Sequence, residues 1–582
     1  MKKIPALLYF SICLPCLLFS QVKHDYVWPF GNGAITPWNG SVFGGTLIDF
    51  KQSPPEITLH DFIIDFPFAS IADKDGNLVA FTDGCRISNR NKDLMLNGDS
   101  INPGKVYNVY CNLPYFYPII QPCIFLPKPG SDSLYYLFHL RSDDKYRNPM
   151  NLLYSEIDAS GDNGNGAVIS KNNTLLSDSL YLGQFVTATR HANGRDWWVA
   201  VTRRFHSEIH VTLVTPDTVQ YMGMQDVGFT EVDSAYCCNQ TRFAPDGSKF
   251  FRNHPWGMLI LEFDRCNGAF SKPVYWDYHI VPHGSGGVAI SPDNRFLYLC
   301  SGLTIQQYDL RASDVLSSRE VVAEYDGYIS PDPTYFFHAQ LGPDGKIYIL
   351  TTSNNDILHV IHSPNKKGSA CKVEQHGIKL PARGSFFVPN FPNYRLGPLD
   401  GSACDTLGLT NLPIAHFRWD VEDTLSPQHI EFTDLSYYEP ATWLWDFGDG
   451  TTSQDTSPVH LYATPGIYQV CLTVCNANAC NTGCMEVEVK TVNTILVQGE
   501  NGRFSLSPNP ASDVLHIQFD VPIKGEIVVS DLSGRRILVH PVSTEAKILE
   551  IPVVQLENGV YLLFFTDASG KQSITTKFVV LR

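Results

Sequence analysis

Four cysteines crowd into one short stretch: Cys471, Cys475, Cys480 and Cys484. Thiols this close support two chemistries, cross-linking as disulfides or tetrahedral ligation of zinc. The flanking residues bear on the choice. Tyr468, Val470, Leu472 and Val474 alternate with more polar neighbours, which predicts a strand with one buried face. Residues 476–479 read as a hairpin tip, after which the chain returns through Cys480 and Cys484. Partners across an antiparallel hairpin keep a constant sum of residue numbers, and the pairs 471 with 484 and 475 with 480 share one sum. Cys471 and Cys475 also have the same parity, opposite to Val470, so both pairs leave from one face. The expectation is two disulfides, Cys471–Cys484 and Cys475–Cys480. The rival is a four-cysteine zinc site, whose tetrahedron two flat strands present poorly.

Just upstream stand two carboxylates, Asp446 and Asp449, inside Trp443-Leu444-Trp445-Asp446-Phe447-Gly448-Asp449-Gly450. Clustered carboxylates suit a hard cation such as calcium, but two do not make a six-ligand cage, so turn and strand-end roles are expected and no cofactor is assigned. Trp443, Trp445 and Phe447 alternate and face one side of a strand, and Gly448-Asp449-Gly450 turns the chain. Together with Pro458-Val459-His460-Leu461-Tyr462 and Pro465-Gly466-Ile467-Tyr468, this motif resembles a PKD domain, an immunoglobulin-like module of extracellular proteins, over about residues 412–490. The resemblance implies a β-sandwich that spaces or presents other domains. Trp445, Asp446, Phe447, Gly448, Asp449 and Gly450 are its structural motif.

Elsewhere no catalytic pattern persuades. There is no HExxH helix, no GxSxG elbow and no phosphate-cradling loop; His283-Gly284-Ser285-Gly286-Gly287 is a glycine-rich loop only. The S-x-D-x-G-x-T-W repeat of propeller hydrolases is absent. Asp73-Lys74-Asp75-Gly76-Asn77 suggests a calcium loop but lacks the distal Glu, and reads as a turn. His359 and His362, three apart on a strand, face opposite sides. His191 in a loop is a better pocket residue, with a structural role still preferred. Trp197-Trp198, Tyr115-Phe116-Tyr117 and Phe386-Phe387 could stack on a glycan; blade packing is the preferred reading.

The elements that must position all this come from a repeated phrase in the first four hundred residues: a turn of Asp, Asn, Gly or Pro, then an apolar strand. Clear copies surround Asp73-Lys74-Asp75-Gly76, Pro245-Asp246-Gly247, Pro292-Asp293-Asn294 and Pro343-Asp344-Gly345; weaker ones surround Lys128-Pro129-Gly130 and His191-Ala192-Asn193-Gly194. Turns recur roughly 47–62 residues apart, near the period of a four-stranded propeller blade of about 40–50 residues. Each unit is too small to stand alone, so radial stacking into about seven blades is expected, with six or eight also compatible. The seventh blade would combine an early segment, 42–50, with a late one, 386–394, closing the ring. Trp28-Pro29-Phe30-Gly31-Asn32, Thr82-Asp83-Gly84 and Leu96-Asn97-Gly98 resemble the propeller of secreted Bacteroidetes proteins that also carry PKD and sorting domains. Arg86-Ile87-Ser88-Asn89 departs from that pattern, which brings no established activity.

Lys2 and Lys3 followed by the apolar run 6–19 read as a signal peptide ending near Ser20. Cys16 admits a lipoprotein reading that the apolar residues after it disfavour. At the other end, Phe504-Ser505-Leu506-Ser507-Pro508-Asn509-Pro510-Ala511, Asp531-Leu532-Ser533-Gly534-Arg535, Gly559-Val560-Tyr561 and Lys577-Phe578-Val579-Val580 resemble the C-terminal sorting domain of the type IX secretion system of Bacteroidetes. The resemblance implies passage through the periplasm and across the outer membrane, with the type IX machinery as partner, followed by tethering or release.

The 582 residues carry a net charge of -16, which argues against nucleic acid and anionic membrane as partners. No segment of the mature chain is expected to span a membrane. Of 15 cysteines, Cys13 and Cys16 leave with the leader. Export favours bridges among the rest, though the nine outside the hairpin cannot all pair internally, and Cys237-Cys238 offers at most one distant bond.

The expected architecture is all-β: 1–20 signal peptide, 21–400 β-propeller, 401–411 linker, 412–490 PKD β-sandwich, 491–502 linker, and 503–582 a small sorting β-sandwich. The expected function is a secreted or cell-surface, non-catalytic binding or adhesion protein with a glycan or protein ligand. The alternative is an extracellular propeller hydrolase acting on glycans or peptides, which a cluster of carboxylates or arginines at the channel mouth would favour.

Overall fold

The computed structural model describes residues 22–38, 41–62, 69–111, 117–119, 121–142, 148–178, 182–204, 206–228, 240–254, 257–277, 286–384, 389–423, 426–489, 495–499, 502–567 and 572–581. The leader, Cys237 and Cys238, Tyr115-Phe116 and Phe386-Phe387 lie outside these residues. The chain divides into two units, 1–411 and 412–582.

The first unit is a succession of antiparallel sheets made from consecutive strands, spanning 27–60, 69–89, 123–177, 182–226, 240–277, 287–324 and 336–379. We call them blades one to seven. Blades one and two have three strands and the others four. The leading strands of successive blades lie side by side around an axis. The repeated phrase is the hairpin between the first and second strand of blades two to seven. Its turn needs one residue at positive φ: Gly247 has φ +73° and closes on Ala244 O at 2.9 Å. Blade six places Asn294 there with φ +58°, the side chain best suited to that region after glycine. Because every such turn follows the leading strand, the turns gather at one end of the ring. The hairpins between second and third strands lie at the opposite, loop end.

Blade one differs. Residues before its first strand, Val27–Trp38, bond to the blade-two turn: Lys23 N donates to Lys74 O and Ala72 N to His24 O. Val27–Trp38 therefore starts at the turn end, where the other leading strands finish, and occupies a second-strand place. The inner place falls to the late segment. Residues 385–388 of that segment are outside the described ones, and 389–394 form no strand ladder; side chains hold them instead. Phe391 stacks on Trp28 with ring centroids 5.8 Å apart, and Trp28 meets Tyr348 of blade seven at 5.4 Å. The early part of the closing blade runs over 27–60, wider than 42–50. The late part closes by packing because its Pro389, Pro392 and Asn390 suit side-chain anchoring better than ladder pairing. Trp28, Trp197, Tyr348 and Tyr394 are all at most 2 % exposed, and each contributes about 1.5–3 kcal/mol by leaving water.

In the second unit, one sandwich packs the sheet of Phe417–Asp423, Ser426–Asp434 and Val459–Leu461 against that of Thr452–Ser453, Thr442–Asp446, Gly466–Cys475 and Cys480–Val489. Trp445 is completely buried among Phe417, Phe432, Phe447, Tyr462, Val470, Leu472 and Val474. The rest, from Ile495 on, is one sheet bent on itself around the 17-residue strands Val514–Ser530 and Arg536–Pro552. The first half of Val514–Ser530 pairs with Gly502–Ser507 and the second half with Gly559–Asp567, so register shifts near its middle split the sheet into two layers. Leu515, Ile517, Ile527, Val529, Leu563, Phe578 and Val580 fill the space between. Ile495–Gly499, inside the stretch read as linker, pairs with Gly502–Ser507 as an edge strand. Its alternation of Ile495 and Val497 with Leu496 and Gln498 was too short to separate from a spacer.

Candidate functional site at the propeller axis

The chain runs along the inner strands with its own residues, from Asn390 near their starts to residues 393–399 at the turn end. Asn390 Nδ2 donates to Val186 O at 2.9 Å and to Cys123 O at 3.2 Å, on the inner strands of blades four and three. Gln121 Nε2 donates to Asn390 Oδ1 at 2.9 Å and to Thr241 O at 3.3 Å. Further along, Asn393 Nδ2 donates to Pro245 O at 2.7 Å and Tyr394 OH to Phe125 O at 2.8 Å. Arg395 forks onto both oxygens of Asp25, with both side chains under a tenth exposed. Arg265 Nη2 donates to Gly397 O, and Leu399 N to Ala192 O at 2.8 Å. A disulfide from Cys404 to Cys266, in the last hairpin of blade five, fixes the exit covalently.

Beside these residues the inner strand of blade five is polar. Gln240 reaches from blade five across to its neighbours: Oε1 accepts from Val288 N at 2.8 Å and Ala339 N at 3.2 Å, and Nε2 donates to Ala339 O at 2.9 Å. Arg242, two residues on and on the same side of the strand, donates Nη2 to Ala339 O at 2.9 Å. Among the described residues no carboxylate pairs with it. Arg242 is half-buried, and burial alone pushes its guanidinium down to about 9. It is still charged at neutral pH.

Two charged clusters stand at the loop end. Asp83, in the second hairpin of blade two, accepts from Cys85 N and Arg86 N, each at 2.8 Å. Burial pushes its carboxyl up to about 7, and those donors only partly offset it. A disulfide joins Cys85 to Cys111 beside it. In blade four, Arg203 Nε lies 3.0 Å from Asp178 Oδ2, and His210 bridges Asp178 and Tyr221 at 3.1 and 2.9 Å. That network ties a blade-to-blade connection to a hairpin.

The residues singled out from sequence scatter. His191 lies at the sealed end, where Nδ1 accepts from Asn193 N at 3.0 Å and the ring packs 5.4 Å from Trp198. His359 is buried, bonded to Thr334 O at 2.9 Å, with burial lowering it to about 4; His362 pairs instead with Glu374 at 2.7 Å. Asp73 Oδ1 accepts from Asp75 N and Asn77 N inside its own turn. Trp197 packs on Tyr394 and Trp198 on Phe263, both within the ring. In the sandwich, Asp446 Oδ1 accepts from Gly448 N at 3.0 Å, while Asp449 accepts from Thr451 and meets His460 at 2.7 Å, so the turn itself uses these carboxylates. Cys471 faces Cys484 and Cys475 faces Cys480 in direct register, with Cα atoms 4.1 and 4.0 Å apart, and each pair is joined as a disulfide. Among the described residues no group of three or more His, Cys, Asp or Glu is placed to hold a metal ion. Cys123, Cys300 and Cys371 are buried thiols.

Sequence reasoning missed Gln121, Gln240, Arg242 and Asn390. One signal was present: Gln240-Thr241-Arg242 is polar where the matching strand of blade six reads Gly287-Val288-Ala289.

Comparison with known families places a PKD domain at residues 411–491 and a secretion system C-terminal sorting domain at 505–581. The chain thus carries a PKD domain and a type IX sorting domain. The PKD stretch is similar to part of Collagenase ColQ1 of Bacillus cereus (strain Q1), 32% identical over 90 residues, which are 16% of this chain and 9% of that protein. It is also similar to the PKD1 domain of the Vibrio cholerae metalloprotease PrtV, at 30% identity, covering 14% of this chain and 99% of that one with a TM-score of 0.13. The crystal structure of a Lactobacillus plantarum protein covers 62% of this chain and 98% of its own, at 14% identity and a TM-score of 0.37. The sorting domain assigns the protein to the type IX pathway and to the outer surface or the extracellular space. No helix among the described residues is long and apolar enough to cross a membrane.

Proposed function

We propose that this exported protein is a non-catalytic binding or adhesion protein whose propeller offers its loop end to a glycan or protein ligand, with the PKD domain as spacer and the sorting domain as secretion address. The observation that carries the reading is the seal: residues 393–399 close the turn end through bonds to blades four and five, which leaves the loop end as the approach to the axis. Loops on a rigid ring are the usual place for recognition. Mature protein immobilised and screened against glycan and matrix-protein arrays is expected to retain at least one class of ligand. A blank array across all classes overturns the reading.

A second reading, an extracellular hydrolase, draws support from Asp83. A buried carboxyl pushed up to about 7 at the loop end is the kind of group that serves as a general acid. Turnover of polysaccharide or peptide by purified protein, abolished in Asp83→Asn, would put this reading first.

A further inference from the structure

We propose that the propeller axis is a binding site for a small oxyanion, a carboxylate or sulfate group, held by the guanidinium of Arg242. The inference rests on the binding reading above and names the chemistry its ligand would bring. Arg242 has one hydrogen bond to the protein, from Nη2 to Ala339 O at 2.9 Å. Its Nε is buried and has no partner. The residue keeps part of its surface accessible, and no acidic side chain of the described residues neutralises it. A buried guanidinium without a counter-charge is costly, and charge-assisted bonds to an oxyanion satisfy both its charge and its spare donors.

The surroundings agree. Three further side-chain atoms around the axis are buried and have no partner: Gln121 Oε1, Thr241 Oγ1 and Gln340 Oε1. Buried polar groups are nearly always satisfied, and these three are short of partners. Water alone would answer the acceptors. The positive charge asks for an anion, and Gln240, fixed by three bonds to blades six and seven, keeps the inner strand that carries Arg242 in place. Neither a lysine nor a water molecule reproduces the planar two-donor edge that matches a carboxylate or sulfate.

The test uses the full mature chain in calorimetric titrations with sodium acetate, sodium glucuronate and sodium sulfate, each against sodium chloride at matched ionic strength. Saturable uptake of one anion per chain is expected, and the acetate, glucuronate and sulfate arms separate a carboxylate source from a sulfate source. Arg242→Gln should weaken uptake by about tenfold or more, while Arg311→Gln, on the exposed surface, should leave it unchanged. Should Arg242→Gln fail to fold, crystals of the wild-type chain grown in selenate provide an independent readout: an anomalous peak within hydrogen-bond distance of Arg242 supports the site. No saturable uptake of any of the three anions overturns the proposal, as does uptake indifferent to Arg242 or a selenate peak elsewhere. Array binding that Arg242→Gln leaves intact, without anion uptake, would sink this inference and leave the binding reading standing. Anion uptake with a blank array would do the reverse.

Discussion

The PKD domain and the propeller solve the same problem over different distances. In the PKD domain every stabilising partner lies within eighty or so residues, and its disulfides span separations of 13 and 5. In the propeller the ring is completed by Arg395 on Asp25, 370 residues apart, and by Phe391 on Trp28. A module closed by near neighbours announces itself in a short motif. A ring closed by its two ends does so only when both ends are read together.

The sharpest way to break this comparison is to cut the long-range tie. Arg395→Ala leaves Asp25 buried without its partner, which costs about 3–5 kcal/mol. In scanning calorimetry the propeller transition should fall and the PKD transition should hold its place; a shared shift would mean the two are not separable in this way. Next comes the short-range tie. Serine at both Cys471 and Cys484 should lower PKD stability by about 3 kcal/mol, the loop-closure value for a ring of this size, without moving the propeller. Unreduced peptide mapping should recover the Cys471–Cys484 and Cys475–Cys480 links, and a stoichiometric zinc ion would replace them with the rival chemistry.

The smallest expected effect concerns pH. Asp83 titrates near 7 in the folded propeller against 3.8 for its ordinary value, so the folded state holds a proton that the unfolded chain has lost. Its contribution is complete below about pH 4 and disappears as pH rises toward 7. His24, His139 and His359 act oppositely: burial lowers them to about 4, 3 and 4, and their contribution is lost as pH falls below 6.5. The difference between wild type and Asp83→Asn isolates the carboxyl. Between pH 4 and 7 the wild type should lose on the order of 2 kcal/mol relative to the variant, seen in denaturant midpoints followed by tryptophan fluorescence. A flat difference would place Asp83 in contact with water.

Legibility followed the same division. Trp445, Asp446 and Gly448 could be placed because their roles depend on neighbours within about thirty residues. The propeller was legible through its turns, since a residue at positive φ and an Asp, Asn or Ser that accepts from the turn amides recur in blades two to seven. Its axis was not. Asn390 and Arg242 matter only because blades three, four, five and seven converge, and no local pattern reports convergence. Ile495–Gly499 escaped for a related reason: five residues of edge strand look like spacer until the long strand beside them is known.

The bond between Cys404 and Cys266 has a mechanical meaning. Drag on a surface-anchored chain would pull on the polypeptide leaving residue 411. That tension enters the ring at Cys404 and passes covalently into blade five, bypassing the bonds made by Asn390, Asn393 and Tyr394. The stopper is thus shielded from force, and the ring keeps its shape while the rest of the molecule is stretched.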